Sequence, residues 1–204
     1  MISIDHKTKK PSKKDAYASI LKLHGGAVLS SREIEGLLLH FAPAAPKKAK
    51  TAMEWLAKAA AVQDVREYLC YVYVNADGIG YGTDGHIAHR AQLEGVAEGY
   101  YCPKTLLPIT KLDMKYPNVE RVFAQREAHY TVETDALTLN MRPDGIAVYT
   151  YEGSQVNKAL LDRAMNGEKN EIIMSAVSAG TDVVLHQWRG TTEFGDYLVM
   201  GIKE

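Results

Sequence analysis

From Glu67 onward the chain changes its period, and this limits the folds open to it more than any other feature. "EYLCYVYVNADGIGYGTDGHIAHRAQLE" (67–94) is aromatic and β-branched, and it alternates between large and small or polar residues. Alternation sends successive side chains to opposite faces, the pattern of strands rather than helices. Asp77-Gly78 is a strong hairpin signal, and Gly82 and Asp84-Gly85 punctuate the strands after it. "GYYCP" (99–103) adds a short strand. Past residue 127, "HYTVET", "ALTLNMR", "IAVYTYEG", "NEIIMSAV", "DVVLHQW" and "GDYLVMGIK" repeat the pattern, with turns at Thr134-Asp135 and Pro143-Asp144-Gly145.

Helical periods lie around these strands. Residues 15–24 are expected as a short helix ended by Gly25-Gly26, and 27–29 as a short strand. Ser30 to Glu33 reads as a capping box opening a helix over 31–41. "APAAP" (42–46) breaks it, and a second helix spans 47–61 with Ala49, Met53, Leu56, Ala57 and Ala60 as its buried stripe. "PKTLLPITKL" (103–112) reads as a short helix opened by Pro103. "MKYPNVERVFAQ" (114–125) reads as extended, because Tyr116 precedes a proline. "SQVNKALLDRAMNG" (154–167) reads as a helix capped by Ser154 and ended by Gly167. The fold class is therefore α+β with mostly antiparallel pairing. The expected organisation is a basic tail at 1–14, a first unit at 15–115, a linker at 116–124 and a second, shortened unit at 125–204.

With 204 residues, 46% apolar and 24% charged, the chain can bury a substantial core. Its net charge of −1 supplies no global attraction to polyanions, so any such attraction must be local. Lys7, Lys9, Lys10, Lys13 and Lys14 make either a solvated tail or an arm that touches phosphate. Lys47, Lys48, Lys50 and Lys58 lie off the buried stripe of their helix, as a solvated face or as one turned to a polyanion. Apolar runs such as Tyr68–Val74 are too short to cross a bilayer, and no secretory signal opens the chain. Cys70 and Cys102 make no disulfide framework, so they are expected as reduced thiols in a cytoplasmic protein.

"NADGIGYGTDGHIAHR" (75–90) is glycine-rich, but the residues after Gly85 alternate as a strand. A phosphate loop needs the free N–H groups of a helix N-terminus there. His86 and His89 are three apart, which on a strand sends them to opposite faces, and no Cys or carboxylate partner stands at zinc-site spacing. No Gly-x-Ser-x-Gly elbow or Cys–His pattern occurs, and Asp84 before Gly85 reads as a turn former. The expectation is a non-enzymatic protein without metal or cofactor. A catalytic site would require Asp84 and His86 to converge with a further polar group in one deep pocket.

"YGTDGHIAHRAQL" is similar to the Thr-Asp-Gly-His-Arg-Leu-Ala stretch of bacterial DNA polymerase sliding clamps, the ring-shaped β processivity factors. The strand–turn–strand run before it, "GYYCPKTLLPI", "KYPNVERVF", "VNKALLDRAMNGEKNEIIM" and the closing "GDYLVMGIK" resemble further blocks of that family, in the family's order, across residues 66–204. The resemblance implies DNA-clamp-like units of antiparallel sheet with packed helices, and a replication accessory role. DNA polymerase or other clients would insert a short apolar motif into a groove made by Thr83, Gly85, His86, Ala88, Pro117, Arg121, Val122, Leu198, Val199 and Met200.

Lys47, Lys48, Lys50, Lys58, Lys104, Lys111, Lys158 and Arg163 would face double-stranded DNA without reading its sequence, through salt-screened contacts to phosphate. Ile87 stands where the family has Arg and Ala88 where it has a larger Leu, so the implied groove is wider or altered, and Gly201 stands where the family has Pro. Two units per chain would need a homotrimer to make a six-domain ring. The alternatives within the resemblance are a short phage-type clamp and a monomeric, clamp-derived interaction module that never encircles DNA.

Overall fold

The computed structural model divides the chain into two compact units, Met1–Pro46 and Lys47–Glu204. It describes Lys22, Ser30 and residues 47–204 except 111, 113, 125–127, 129, 179–183 and 203–204. The tail at 1–14, the helices expected at 15–24 and 31–41 and the strand expected at 27–29 lie outside the described residues.

The second unit contains twelve described strands and three α-helices. The strands are β1 (Val72–Val74), β2 (Ile79–Thr83), β3 (Ile87–Gln92), β4 (Gly99–Tyr101), β5 (Pro108–Ile109), β6 (Tyr130–Glu133), β7 (Thr138–Met141), β8 (Ala147–Tyr151), β9 (Ser154–Asn157), β10 (Glu171–Ser178), β11 (Val184–Thr192) and β12 (Gly195–Ile202). The helices are α1 (Ala52–Ala59), α2 (Glu120–Phe123) and α3 (Lys158–Met165), with a 3-10 turn at Glu67–Cys70. The main sheet runs β5-β4-β1-β2-β3-β12-β11-β10-β6, and β7, β8 and β9 branch from it at the end of β12. Every strand pairing among the described residues is antiparallel, so the α+β class with antiparallel pairing stands.

Alternation along β3 and β12 sorts two cores. Ile87, His89 and Ala91 face one side, where Trp55, Leu56 and Ala59 of α1 and Leu161 and Ala164 of α3 are buried against Val72, Val74, Trp188 and Val199. The Trp55 indole Nε1 donates to the Ala164 carbonyl at 2.9 Å, which ties the two helices together. Ala88 and Leu198, opposed in register, face the other side and join Tyr81, Tyr100, Tyr116, Val119 and Phe123. Burying each large apolar side chain contributes about 1.5–3 kcal/mol.

Gly80 and Gly82 lie inside β2, not in a turn, and face α1. A Cβ on Gly82 would meet the Leu56 carbonyl oxygen at 2.1 Å, so the missing side chain is what lets the helix settle on the strand. The turns belong to Gly78 and Gly85, both at positive φ.

Several local expectations are corrected. The helix expected over 47–61 spans only Ala52–Ala59, with Thr51 as its N-cap accepting from the Glu54 N–H, and its buried side includes Trp55 and Ala59. Ser154 does not cap α3. Residues 154–157 form β9, and Asn157 Oδ1 caps the helix by accepting from the N–H groups of Ala159 and Leu160 at 2.9 and 3.3 Å. The Ser154 hydroxyl instead accepts from Trp188 Nε1 at 3.2 Å.

The described residues of 103–112 make no helix. Leu106 sits at φ 59, the Cys102 N–H donates to the Leu107 carbonyl, and Pro108, which has no N–H to give a helix, opens β5. The segment expected as an extended linker contains α2, and the strands on either side of it belong to one sheet.

Candidate functional site

The Thr83–Ala88 stretch is a tight turn whose polar side chains are spent on its own backbone. The Thr83 hydroxyl donates to the Ile87 carbonyl at 2.7 Å and accepts from the Gly85 N–H at 3.0 Å. Asp84 Oδ1 accepts from the N–H groups of His86 and Ile87 at 2.8 and 3.0 Å. Asp84 Oδ2 lies 3.7 Å from Arg163. His86 is exposed, while His89 is fully buried, so the two histidines do part to opposite environments. The Asp84 carboxylate is thus engaged by the turn's own N–H groups and lies near Arg163. Among the described residues no three His, Cys, Asp or Glu side chains are grouped to hold a metal ion.

The three sequence blocks of the expected groove lie side by side. Ala88 pairs with Leu198, and the Met200 N–H donates to the His86 carbonyl at 2.9 Å, extending the β3–β12 ladder. Tyr116, Val119 and Phe123 pack in one cluster with Ala88 and Leu198, and Met200 packs against it. Arg90 holds the 116–123 segment down: its guanidinium pairs with Glu120 and with Asp196 and lies over the Phe123 ring, 4.8 Å from the centroid. Pro117, Arg121 and Val122 remain on the surface. Val199 does not join this face, because its side chain points the other way and is fully buried beneath the helices; Thr83 and Gly85 serve the turn.

Beside this cluster is an open cleft of about 340 Å³. One wall is Tyr73, Asn75, Asp77, Ile79 and Tyr81 of the β1–β2 hairpin; the other is the run Tyr116–Glu120. Tyr73 and Tyr116 stack with centroids 4.9 Å apart and planes 19° apart. The Tyr81 hydroxyl donates to Glu120 Oε2 at 2.9 Å, and burial followed by that carboxylate pushes its pKa up to about 12.

Of the groove residues named from the sequence, only Pro117 lines this cleft. The tyrosines were missed although the signal was present: in β1 and β2, alternation places Tyr73, Ile79 and Tyr81 opposite the glycines that face α1.

The basic residues do not form one face. The Lys48 ammonium donates to the Gly167 carbonyl at 3.2 Å, and that of Lys58 to Asn166 Oδ1 at 2.9 Å and to the Lys47 carbonyl. Arg163 donates to the Lys58 carbonyl at 3.3 Å. These residues gather where the end of α3 meets residues 47–49, and partial burial lowers the pKa of Lys58. Lys158 is elsewhere engaged, paired with Asp162 and 5.3 Å from the Tyr149 ring centroid. Lys47 and Lys50 are exposed, Lys104 is exposed on the turn after β4, and Lys111 lies outside the described residues.

Asn166 organises this corner, and sequence reasoning passed over it. It sits in the left-handed conformation at the end of α3, buried; its Oδ1 accepts from the Ala49 N–H at 2.7 Å and its Nδ2 donates to the Ala49 carbonyl at 3.2 Å. Compared with family models, curated proteins and solved structures, the chain matches none of them. Among the described residues, no helix is long and apolar enough to cross a membrane.

Proposed function

We propose that this protein is a non-enzymatic, sliding-clamp-like replication accessory factor. It docks short apolar client peptides, such as those of a DNA polymerase, on a surface that includes His86, Met200, Pro117 and Val122, beside the central β3–β12 pair. The observation that carries this reading is the contiguity of three stretches far apart in the chain, "TDGHIA", "YPNVERV" and "YLVM", around one central strand pair. A few buried apolar anchors are enough to hold a short motif at such a surface. The exposed lysines would contribute a weak, salt-screened attraction to duplex DNA, with three subunits completing a ring.

A second reading, a monomeric clamp-derived module that does not encircle DNA, is favoured by the basic residues themselves. Lys58, Lys158 and Arg163 are held in contacts within the chain and present less free charge than a DNA-lining helix pair would.

Titration of a labelled clamp-binding peptide tests the docking surface. Saturable binding abolished by Met200→Asp and His86→Glu is expected; no binding, or binding indifferent to both substitutions, removes the assignment. Retention on closed-circular but not linear DNA, with a trimer in sedimentation, would select the ring over the module.

A further inference from the structure

We propose that Asn166-Gly167 is a site of spontaneous deamidation, held in check by the fold and released when the corner between the end of α3 and residues 47–49 opens. This goes beyond the clamp-like reading and does not depend on it. Three observations converge.

The first is the sequence at that corner. Asn166-Gly167 is the one Asn-Gly pair in the chain; the other asparagines precede Ala, Val, Met, Lys or Glu. In such a pair the Gly167 backbone nitrogen can attack Cγ of the Asn166 side chain, because glycine has no Cβ to crowd the approach. The nitrogen gives its proton to solvent, the N–Cγ bond forms, the Cγ–Nδ2 bond breaks and ammonia leaves. Water then opens the cyclic imide. Opening at Cγ yields Asp. Opening at the backbone carbonyl yields isoaspartate, in which the main chain runs through Cβ and Cγ.

The second is the geometry that prevents this reaction in the folded chain. Ring closure needs the Gly167 nitrogen on the same side of the Cα–C bond as Cβ, which means a strongly negative ψ. Asn166 has φ 52° and ψ 25°, which turns that nitrogen nearly opposite Cβ. The amide is also held at both ends. Its Oδ1 accepts from the Ala49 N–H at 2.7 Å and from Lys58 Nζ at 2.9 Å, and its Nδ2 donates to the Ala49 carbonyl at 3.2 Å. Asn166 is 5% exposed. The backbone must rotate and these bonds must break before the ring can close, so the reaction follows local opening.

The third is where the latch lies. Gly167 is exposed just past the end of α3, an eight-residue helix, and residues 47–49 belong to neither a helix nor a strand. Helix ends and irregular segments open at a lower free energy than the centre of a sheet. The corner can therefore open while the sheet stays folded. Isoaspartate formed in that state adds a methylene to the main chain at the left-handed turn, and the shortened side chain no longer returns to Ala49. The modification thus releases residues 47–49 irreversibly.

Mass spectrometry of the full chain after warm incubation in mildly alkaline buffer tests the proposal, with the tryptic peptide 164–169 as the readout. Conversion in the folded chain is expected to be at least about tenfold slower than in the chain unfolded by guanidinium. Lys58→Met removes one bond to Oδ1; it should speed conversion in the folded chain by about threefold or more and leave the unfolded rate unchanged. Thermal denaturation establishes that the variant is folded, and Lys48→Met, which removes the contact to the Gly167 carbonyl, carries the test if Lys58→Met does not fold. Limited trypsin digestion of the aged protein should cut after Lys48 or Lys50 faster as isoaspartate accumulates. Four results would overturn the proposal: equal rates in the folded and unfolded chain, conversion in the unfolded chain no faster at Asn166 than at Asn118, a folded-state rate indifferent to the folded lysine variant, or isoaspartate-containing protein as resistant to trypsin at Lys48 and Lys50 as fresh protein.

Discussion

Gly82 and the Leu56 carbonyl oxygen stand so close that a Cβ on the glycine would come within 2.1 Å of that oxygen: the backbone of α1 rests on the backbone of β2. Neither side can yield without moving the helix. Gly82→Ala is therefore expected to destabilise the fold by about 3 kcal/mol. Gly80→Ala should cost less, because the atoms its Cβ would meet are side-chain ends of Leu56 and Leu93. Urea denaturation of the two variants checks the order; equal midpoints would contradict it.

His89 is fully buried, stacked on Trp55 with centroids 4.0 Å apart and planes 10° apart. Its Nδ1–H donates to the Trp55 carbonyl at 2.7 Å, while Nε2 is buried with no partner among the described residues. Protonation would place a new N–H where nothing accepts it. Burial accordingly takes the pKa from 6.5 down to about 3. Between those values the unfolded chain binds a proton that the folded chain does not, so stability falls as pH drops from 6.5 toward 3. At pH 5 the loss from this residue is about 2 kcal/mol. Urea midpoints at pH 7 and pH 5 should differ for the wild-type protein and differ less for His89→Gln; an unchanged difference would assign the acid sensitivity elsewhere.

Asn166 should be costly to lose in a way that separates its two roles. Asn166→Gly keeps the left-handed turn but deletes the bonds to Ala49, whereas Asn166→Ala loses both. We expect about 2 kcal/mol for the first and about 3 kcal/mol for the second in chemical denaturation. If Asn166→Gly is neutral, the buried amide does not anchor residues 47–49.

Arg90 is the strap over α2, through Glu120, Asp196 and the Phe123 ring. Arg90→Met keeps most of the apolar stem and removes the ion pairs. Amide exchange in residues 116–124 should then accelerate while the β10–β11 amides stay protected; uniform acceleration would mean a global loss of stability rather than release of this segment.

Most of the strands were legible because a period of two is written directly in the side chains: β1 to β4, β6 to β8 and β12 lie within the stretches read as strands, and β10 and β11 overlap them. The errors fall where a local signal competed with tertiary pairing. Ser154 looks like a cap, yet β9 forms because both of its neighbours, β8 and β12, supply hydrogen-bond partners that a sequence window cannot show. Tyr116 was correctly kept out of a helix by Pro117, but the turn of α2 after it depends on Arg90, thirty residues away from Glu120 in the chain. The candidate site was legible as three blocks and not as a surface. The tyrosines that line the cleft are set by which face of β2 the helix claims, and Gly80 and Gly82 carry that information only once α1 is in place.

The position of β12 has a kinetic consequence. β12, the last of the described strands, fills the slot between β3 and β11 and also reaches β9, so the ladder next to residues 87–90 is closed by residues 196–199. Until those residues leave the ribosome, β3 presents an open edge and the main sheet is in two pieces. Such long-range closure slows folding and exposes strand edges to other chains. Nascent chains stalled before Gly195 should therefore be far more sensitive to protease and to aggregation than the released protein, with native protection arriving late and in one step.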